Sequence, residues 1–126
     1  MIDHTGITVS DFARSLAFYE AALAPLGYTV LTRQDDAAGL GAPGPAGADP
    51  GGDFWLMQGP PCQPRVHMAF RAASRAEVEA FHRAALAAGG RDNGAPGPRP
   101  QYHAGYYAAF VHDPDGYNIE AVFHGA

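Results

Sequence analysis

The chain has 126 residues with 8 Lys+Arg against 13 Asp+Glu, a formal net charge of −5, and its length fits one compact domain. All 8 basic residues are Arg, which excludes Schiff-base chemistry and lysine-dependent phosphate sites. A mildly acidic chain with scattered arginines also lacks the electrostatic footprint of a nucleic-acid or anionic-membrane binder.

In chain order, residues 2–9 alternate as a strand, with Ile7 and Val9 on one face and His4, Gly6 and Thr8 on the other. Ser10 or Asp11 can cap a helix in which Phe12, Leu16, Tyr19 and Leu23 recur at helical spacing, and Pro25 with Gly27 closes it. Short strands are predicted at 28–32, 36–41 (weakly) and 53–58, with the Gly/Ala/Pro tract 39–52 read as a mobile loop. A strand at 65–71 leads to the capping box Ser74-Arg75-Ala76-Glu77 and a helix to about residue 88, ended by Gly89-Gly90. Strands follow at 91–95, 106–112 and 117–124, with 94–100 read as a second loop. Asp113-Pro114-Asp115-Gly116 is a turn between the last two.

At an offset of 63 residues the halves align without a gap: His4 on His67, Ala13 on Ala76, Phe18 on Phe81, Ala21-Ala22-Leu23 on Ala84-Ala85-Leu86, and Gly27 on Gly90. The pattern is a tandem βαβββ repeat in one domain, with modules of about 1–62 and 63–126. Leu, Ile, Val and Phe number only 23 against 27 Gly plus Pro, so the core is expected to be thin and helped by self-association. A single Cys62 and no apolar run near the roughly 18–20 residues of a membrane span predict a cytoplasmic protein.

His4 and His67 hold the same place in the two modules, and a pseudo-twofold axis would bring both to one site. Two neutral imidazoles need one hard oxygen to hold a divalent metal. Glu120, mid-strand in an apolar stretch, is the natural oxygen, although a half-exposed sheet would also explain it. The stretch Gln101-Tyr102-His103-Ala104-Gly105-Tyr106-Tyr107 offers hydroxyls and an imidazole for proton transfer or substrate contact, and Arg99 could pair with an acidic substrate.

The sequence resembles the glyoxalase/bleomycin resistance protein/extradiol dioxygenase (vicinal oxygen chelate) superfamily. The matching stretches are His4-Thr5-Gly6-Ile7-Thr8-Val9-Ser10-Asp11 with Arg14-Ser15-Leu16-Ala17-Phe18-Tyr19, then Val66-His67-Met68-Ala69-Phe70, then Phe110 through Glu120 around the DPDG turn. The resemblance implies an α+β fold, with tandem βαβββ modules forming a cup-shaped mixed-sheet half-barrel and helices outside. It implies His4, His67 and Glu120 as ligands of a divalent metal (Fe, Mn, Ni, Zn or Co). The fourth ligand position of glyoxalase I-like members falls on Met57 by the repeat offset, or on Trp55 after a two-residue slip; neither side chain is a hard ligand.

Two His and one carboxylate leave three coordination positions free, as in extradiol dioxygenases. The implied function is dioxygenase-like or lactoylglutathione-lyase-like chemistry on a small substrate chelating through vicinal oxygens. Catalytic candidates are Glu120, His103 and Tyr107; substrate-binding candidates are Trp55 (an aromatic wall for a planar group), Met57, Tyr106 and Arg99. The alternative is a metal-free drug binder like the bleomycin-resistance members. A homodimer, its modules swapped or not, is expected, with no nucleic-acid or membrane partner.

Overall fold

The computed structural model describes residues 1–44 and 50–125. Strand β1 (Thr5–Val9) leads into helix α1 (Phe12–Leu23), a 3-10 turn at Ala24–Leu26, and strands β2 (Thr29–Arg33), β3 (Ala37–Gly41) and β4 (Phe54–Gln58). The order repeats in β5 (His67–Arg71), α2 (Arg75–Ala87), β6 (Arg91–Pro98), β7 (Tyr107–His112) and β8 (Asn118–Phe123). Each half forms a four-stranded mixed sheet, β1-β4-β3-β2 and β5-β8-β7-β6. The first strand of each pairs in parallel with the last. The two sheets share no ladder, and together they make an unclosed α+β cup with the helices outside.

Local chemistry sets the helix starts. The Asp11 carboxylate accepts from the Arg14 N–H at 3.1 Å, so Asp11 rather than Ser10 is the cap. Ser74 caps α2 through the Glu77 N–H, while Glu77 reaches back to the Ala73 N–H at 2.7 Å. Helix α1 buries Phe12, Leu16, Phe18, Tyr19, Ala22 and Leu23, and α2 buries Val78, Phe81 and Ala85. Against them lie the inward residues Ile7, Val9, Leu40, Phe54, Leu56, Val111, Ile119 and Ala121.

Three expectations change. The first strand begins at Thr5 rather than residue 2, because its partner begins at Phe54, so His4 lies just before the strand. The tract 39–52 is not all loop, since Gly39–Gly41 complete β3 between β2 and β4; residues 45–49 lie outside the described residues. Strand β6 continues to Pro98 through the stretch read as a loop. It is an edge strand with register shifts after Asp92 and Gly94, and edges and bulges tolerate Pro and Gly.

Besides the shared core, in which Tyr28 and Phe54 pack edge-on against Phe70, the turn after β7 joins the halves. Asp113, 2 % exposed, accepts from the N–H groups of Asp115 and Tyr117, both at 2.9 Å, and from the Tyr19 hydroxyl of α1 at 2.5 Å. Burial raises its pKa against these three donors, which lower it. Asp115 accepts from the backbone and hydroxyl of Ser10, and Arg14 donates to the Pro114 carbonyl. Tyr117 donates to the Thr8 carbonyl at 2.7 Å. Replacing Tyr19 by Phe leaves a buried carboxylate oxygen without its donor. The expected loss is about 1–3 kcal/mol in urea unfolding; an unchanged midpoint would remove this bond from the account.

Candidate functional site

Alternation sends every second side chain of both sheets away from the helices. On the second sheet this open face carries His67, Ala69, Asn118, Glu120, Phe110 and Tyr106. Glu120 lies opposite Ala69 on β5 and Phe110 on β7. On the first sheet the corresponding row is Gly6–Trp55–Gly39. Subtracting the 63-residue offset from Ala69 gives Gly6, whose partner is Trp55. The register therefore makes Trp55, not Met57, the counterpart of Glu120. One module presents a carboxylate where the other presents an indole.

Glu120 is 2 % exposed, and its two oxygens have different partners. Oε1 lies 2.9 Å from His67 Nε2, and Oε2 accepts from the Tyr106 hydroxyl. Burial first, then the Glu120 hydrogen bond, pushes the Tyr106 pKa up to about 12, so the phenol stays a donor at neutral pH. His67 Nδ1 donates to the Asn118 carbonyl at 2.8 Å, the outer hydrogen bond that orients a ligating imidazole. His67 Nε2 faces a carboxylate oxygen, a contact made attractive by a proton or a metal cation between them. This donor pair has the chemistry to take part in holding a divalent metal, and the phenol and carbonyl behind it fix both side chains.

His4 does not complete the trio: its Nδ1 pairs with Asp3 at 2.6 Å. Among the described residues no group of three His, Cys, Asp or Glu gathers closely enough to hold a metal. His4 instead lines two adjacent cavities. One, of about 570 Å³, lies along the free edges of β1 and β5 and includes His67 and Arg71. The other, of about 420 Å³, lies over Gly6, Trp55 and Met57.

The Trp55 indole donates to the Gly52 carbonyl at 3.0 Å and lies across β3. A Cβ at Gly39 would stand 2.8 Å from the ring and 2.2 Å from the Gly51 carbonyl oxygen. At Gly6 a Cβ would meet the Met57 methyl at 3.0 Å.

The remaining candidates separate. Tyr107 is on the helix face, its hydroxyl donating to Glu79 at 2.9 Å and its ring under Arg75. Arg99 spends its guanidinium on the carbonyls of Ala95, Gly97 and Pro98 and lies over Phe110. His103 is not at Glu120; its Nε2 lies 2.9 Å from His124 Nδ1, and both rings flank Tyr106 edge-on. Phe110 and the Asn118 carbonyl were not singled out from sequence. Strict alternation around Val111 would have put Tyr106 and Phe110 on the open face and Tyr107 inside.

Residues 1–121 match the model of the Glyoxalase/Bleomycin resistance protein/Dioxygenase superfamily. Curated proteins yield no match. The fold is similar to a glyoxalase/bleomycin resistance protein from Albidiferax ferrireducens T118, at 27 % identity and TM-score 0.76 over 96 % of each chain. It is also similar to a glyoxalase-related enzyme from Fulvimarina pelagi, at 19 % identity and TM-score 0.70 over 98 % of this chain and 87 % of that one. A glyoxalase I mutant from Zea mays matches at 23 % identity and TM-score 0.67, over 96 % of this chain but 43 % of that one.

Gly39→Ala places a methyl group against backbone and indole at once. The expected outcome is a loss of about 1–3 kcal/mol, with a shifted emission maximum of the single tryptophan. Wild-type emission and stability would contradict this packing.

Proposed function

The chain belongs to the glyoxalase/bleomycin resistance protein/dioxygenase superfamily, and from that premise we propose a metal-dependent enzyme acting on a small substrate with two adjacent oxygens. The single observation that carries the reading is the His67–Glu120 pair, preset at 2.9 Å by the Asn118 carbonyl and the Tyr106 phenol. A divalent metal held there supplies Lewis-acid stabilisation of an anion spread over the two substrate oxygens. His67 and Glu120 are the ligands from one chain, and His4 of a second copy is the third. Two features support that assembly: His4 stands outside the pair in its own chain, and among the described residues the β1 and β5 edges carry no ladder partner.

Tyr106 keeps one Glu120 oxygen occupied and leaves the other toward His67. Trp55 and Met57 form the opposite wall. A proton shuttle between adjacent carbons needs a carboxylate base, and the position equivalent to Glu120 holds an indole. The reading therefore favours ring-opening oxygenation over a glyoxalase I-like isomerisation. A second reading, a metal-free small-molecule binder, is favoured by the absence of a third ligand beside His67 and Glu120 among the described residues.

Metal titration of protein prepared without oxygen separates the two. Binding of one equivalent of Fe²⁺ or Mn²⁺ per chain, weakened more than about tenfold by His67→Gln or by Glu120→Gln, is expected for the enzyme. Oxygen uptake with catechols, against turnover of hemithioacetals, then assigns the chemistry. Equal, substoichiometric metal in all three proteins would leave only the binder.

A further inference from the structure

A cavity of about 270 Å³ lies at the joint between the modules and shares no lining residue with the two at the cleft. Arg14 of α1 and Arg91 at the start of β6 line it, with Ala88 and Gly89 after α2 and Asp113 and Pro114 of the turn. One guanidinium from each module therefore borders the same space. Arg14 uses Nη2 on the Pro114 carbonyl at 3.1 Å, which leaves its other nitrogens for a further partner. Among the described residues no hydrogen bond or ion pair holds the guanidinium of Arg91. Arg65 and Arg99, by contrast, spend theirs on backbone carbonyls, and Arg33 and Arg75 lie over rings.

The negative groups around this cavity are already engaged. Asp113 is 2 % exposed and has donors on both oxygens. Asp11 accepts from the Arg14 N–H, and Asp115 from Ser10. The carbonyls of Ala84, Ala85 and Leu86 accept from the N–H groups of Ala88, Gly90 and Gly89, so neither arginine is needed to cap α2. At Gly89, with φ +101°, nothing lies within 4 Å of where a Cβ would stand, and that side of the cavity is open.

We propose that this cavity binds a tetrahedral oxyanion, inorganic phosphate or the phosphate of a small monoester, clamped between Arg14 and Arg91. Planar guanidinium forks donate paired N–H groups to phosphate oxygens, and such a site needs no lysine. The anion supplies the negative charge that the two arginines lack. Because one arginine comes from each module, the bound anion also tightens the joint. The site is separate from the metal centre proposed above and does not rest on it.

Calorimetric titration with inorganic phosphate, at ionic strength held constant with sodium chloride, reads the affinity. Thermal unfolding under the same conditions reads the tightening. Phosphate should raise the melting temperature of wild type where chloride does not. Arg14→Gln and Arg91→Gln should each weaken phosphate binding about tenfold or more, the order of one lost charge-assisted contact. Arg91→Lys, which keeps the charge but not the fork, should recover only part of it. Arg71→Gln, which removes a guanidinium at the cleft, should change nothing. Arg91 makes no side-chain bond within the fold, so its variants stay informative even where loss of the Arg14–Pro114 contact unfolds the other. Glycerol 3-phosphate tells the two sources apart: tighter binding than phosphate assigns the monoester, weaker binding the free ion, and either supports the site. Equal affinity in wild type and Arg91→Gln, or an equal loss in Arg71→Gln, would mean an adventitious ion only and overturn the proposal.

Discussion

Two half-sheets that share no ladder among the described residues face a common cleft at an angle set by what packs between and behind them. In this chain a shared core, in which Phe54 packs edge-on against Phe70, sets it together with a polar joint centred on the buried carboxylate of Asp113. It ties the turn after β7 to itself through the backbone of Asp115 and Tyr117, and to α1 through Tyr19. Asp115, Pro114 and Tyr117 extend the joint to Ser10, Arg14 and Thr8. The contacts of this joint with Ser10, Arg14, Thr8 and Tyr19 cross between the modules. At the opposite end of β1, where His4 and Thr5 lie, the larger cavity opens beside the Tyr28, Phe54 and Phe70 rings that pack across the modules. A joint at one end and a cavity at the other leave room for the small substrate proposed above.

Duplication gives the cleft two equivalent rows, and the substitutions within them give it two chemistries. In the second module the row Ala69–Glu120–Phe110 places a carboxylate between a small residue and a ring, with His67 and Tyr106 closing over it. In the first, Gly6–Trp55–Gly39 places a ring between two gaps. Burying Glu120 is tolerable because each oxygen has a polar neighbour, and laying down Trp55 is possible because its neighbours have no Cβ. The proposed division of labour follows from that contrast: charge and coordination in one half, shape in the other.

Much of this was legible in the sequence. The repeat, the DPDG turn and the Ser74 cap all follow from residue type and spacing, and the sequence also singled out His67 and Glu120, which the structure brings within 2.9 Å of each other. The limits have physical causes. A fixed 63-residue offset cannot register a two-residue difference in how the last strand of each module pairs, so it paired Glu120 with Met57, and Trp55 came only from allowing a two-residue slip. His4 was read inside a strand because alternation alone does not tell where the partner strand starts. Gly and Pro in β6 were read as a loop because a sequence does not announce that a strand lies at an edge. The choice between Tyr106 and Tyr107 was recoverable, since Val111 fixes the phase of β7. The pairing of His103 with His124 was not, because it joins a loop to a chain end.

The central claim is that the metal centre is shared, with His67 and Glu120 from one copy and His4 from another. Mixing His4→Ala and Glu120→Gln proteins, each unable to bind metal alone, under conditions that exchange subunits tests it directly. A twofold dimer with shared sites predicts that half the dimers are mixed, each with one intact site, so that metal binding returns to about a quarter of the wild-type level. No recovery, with mixed dimers shown to form, would contradict it and place any complete site within a single chain.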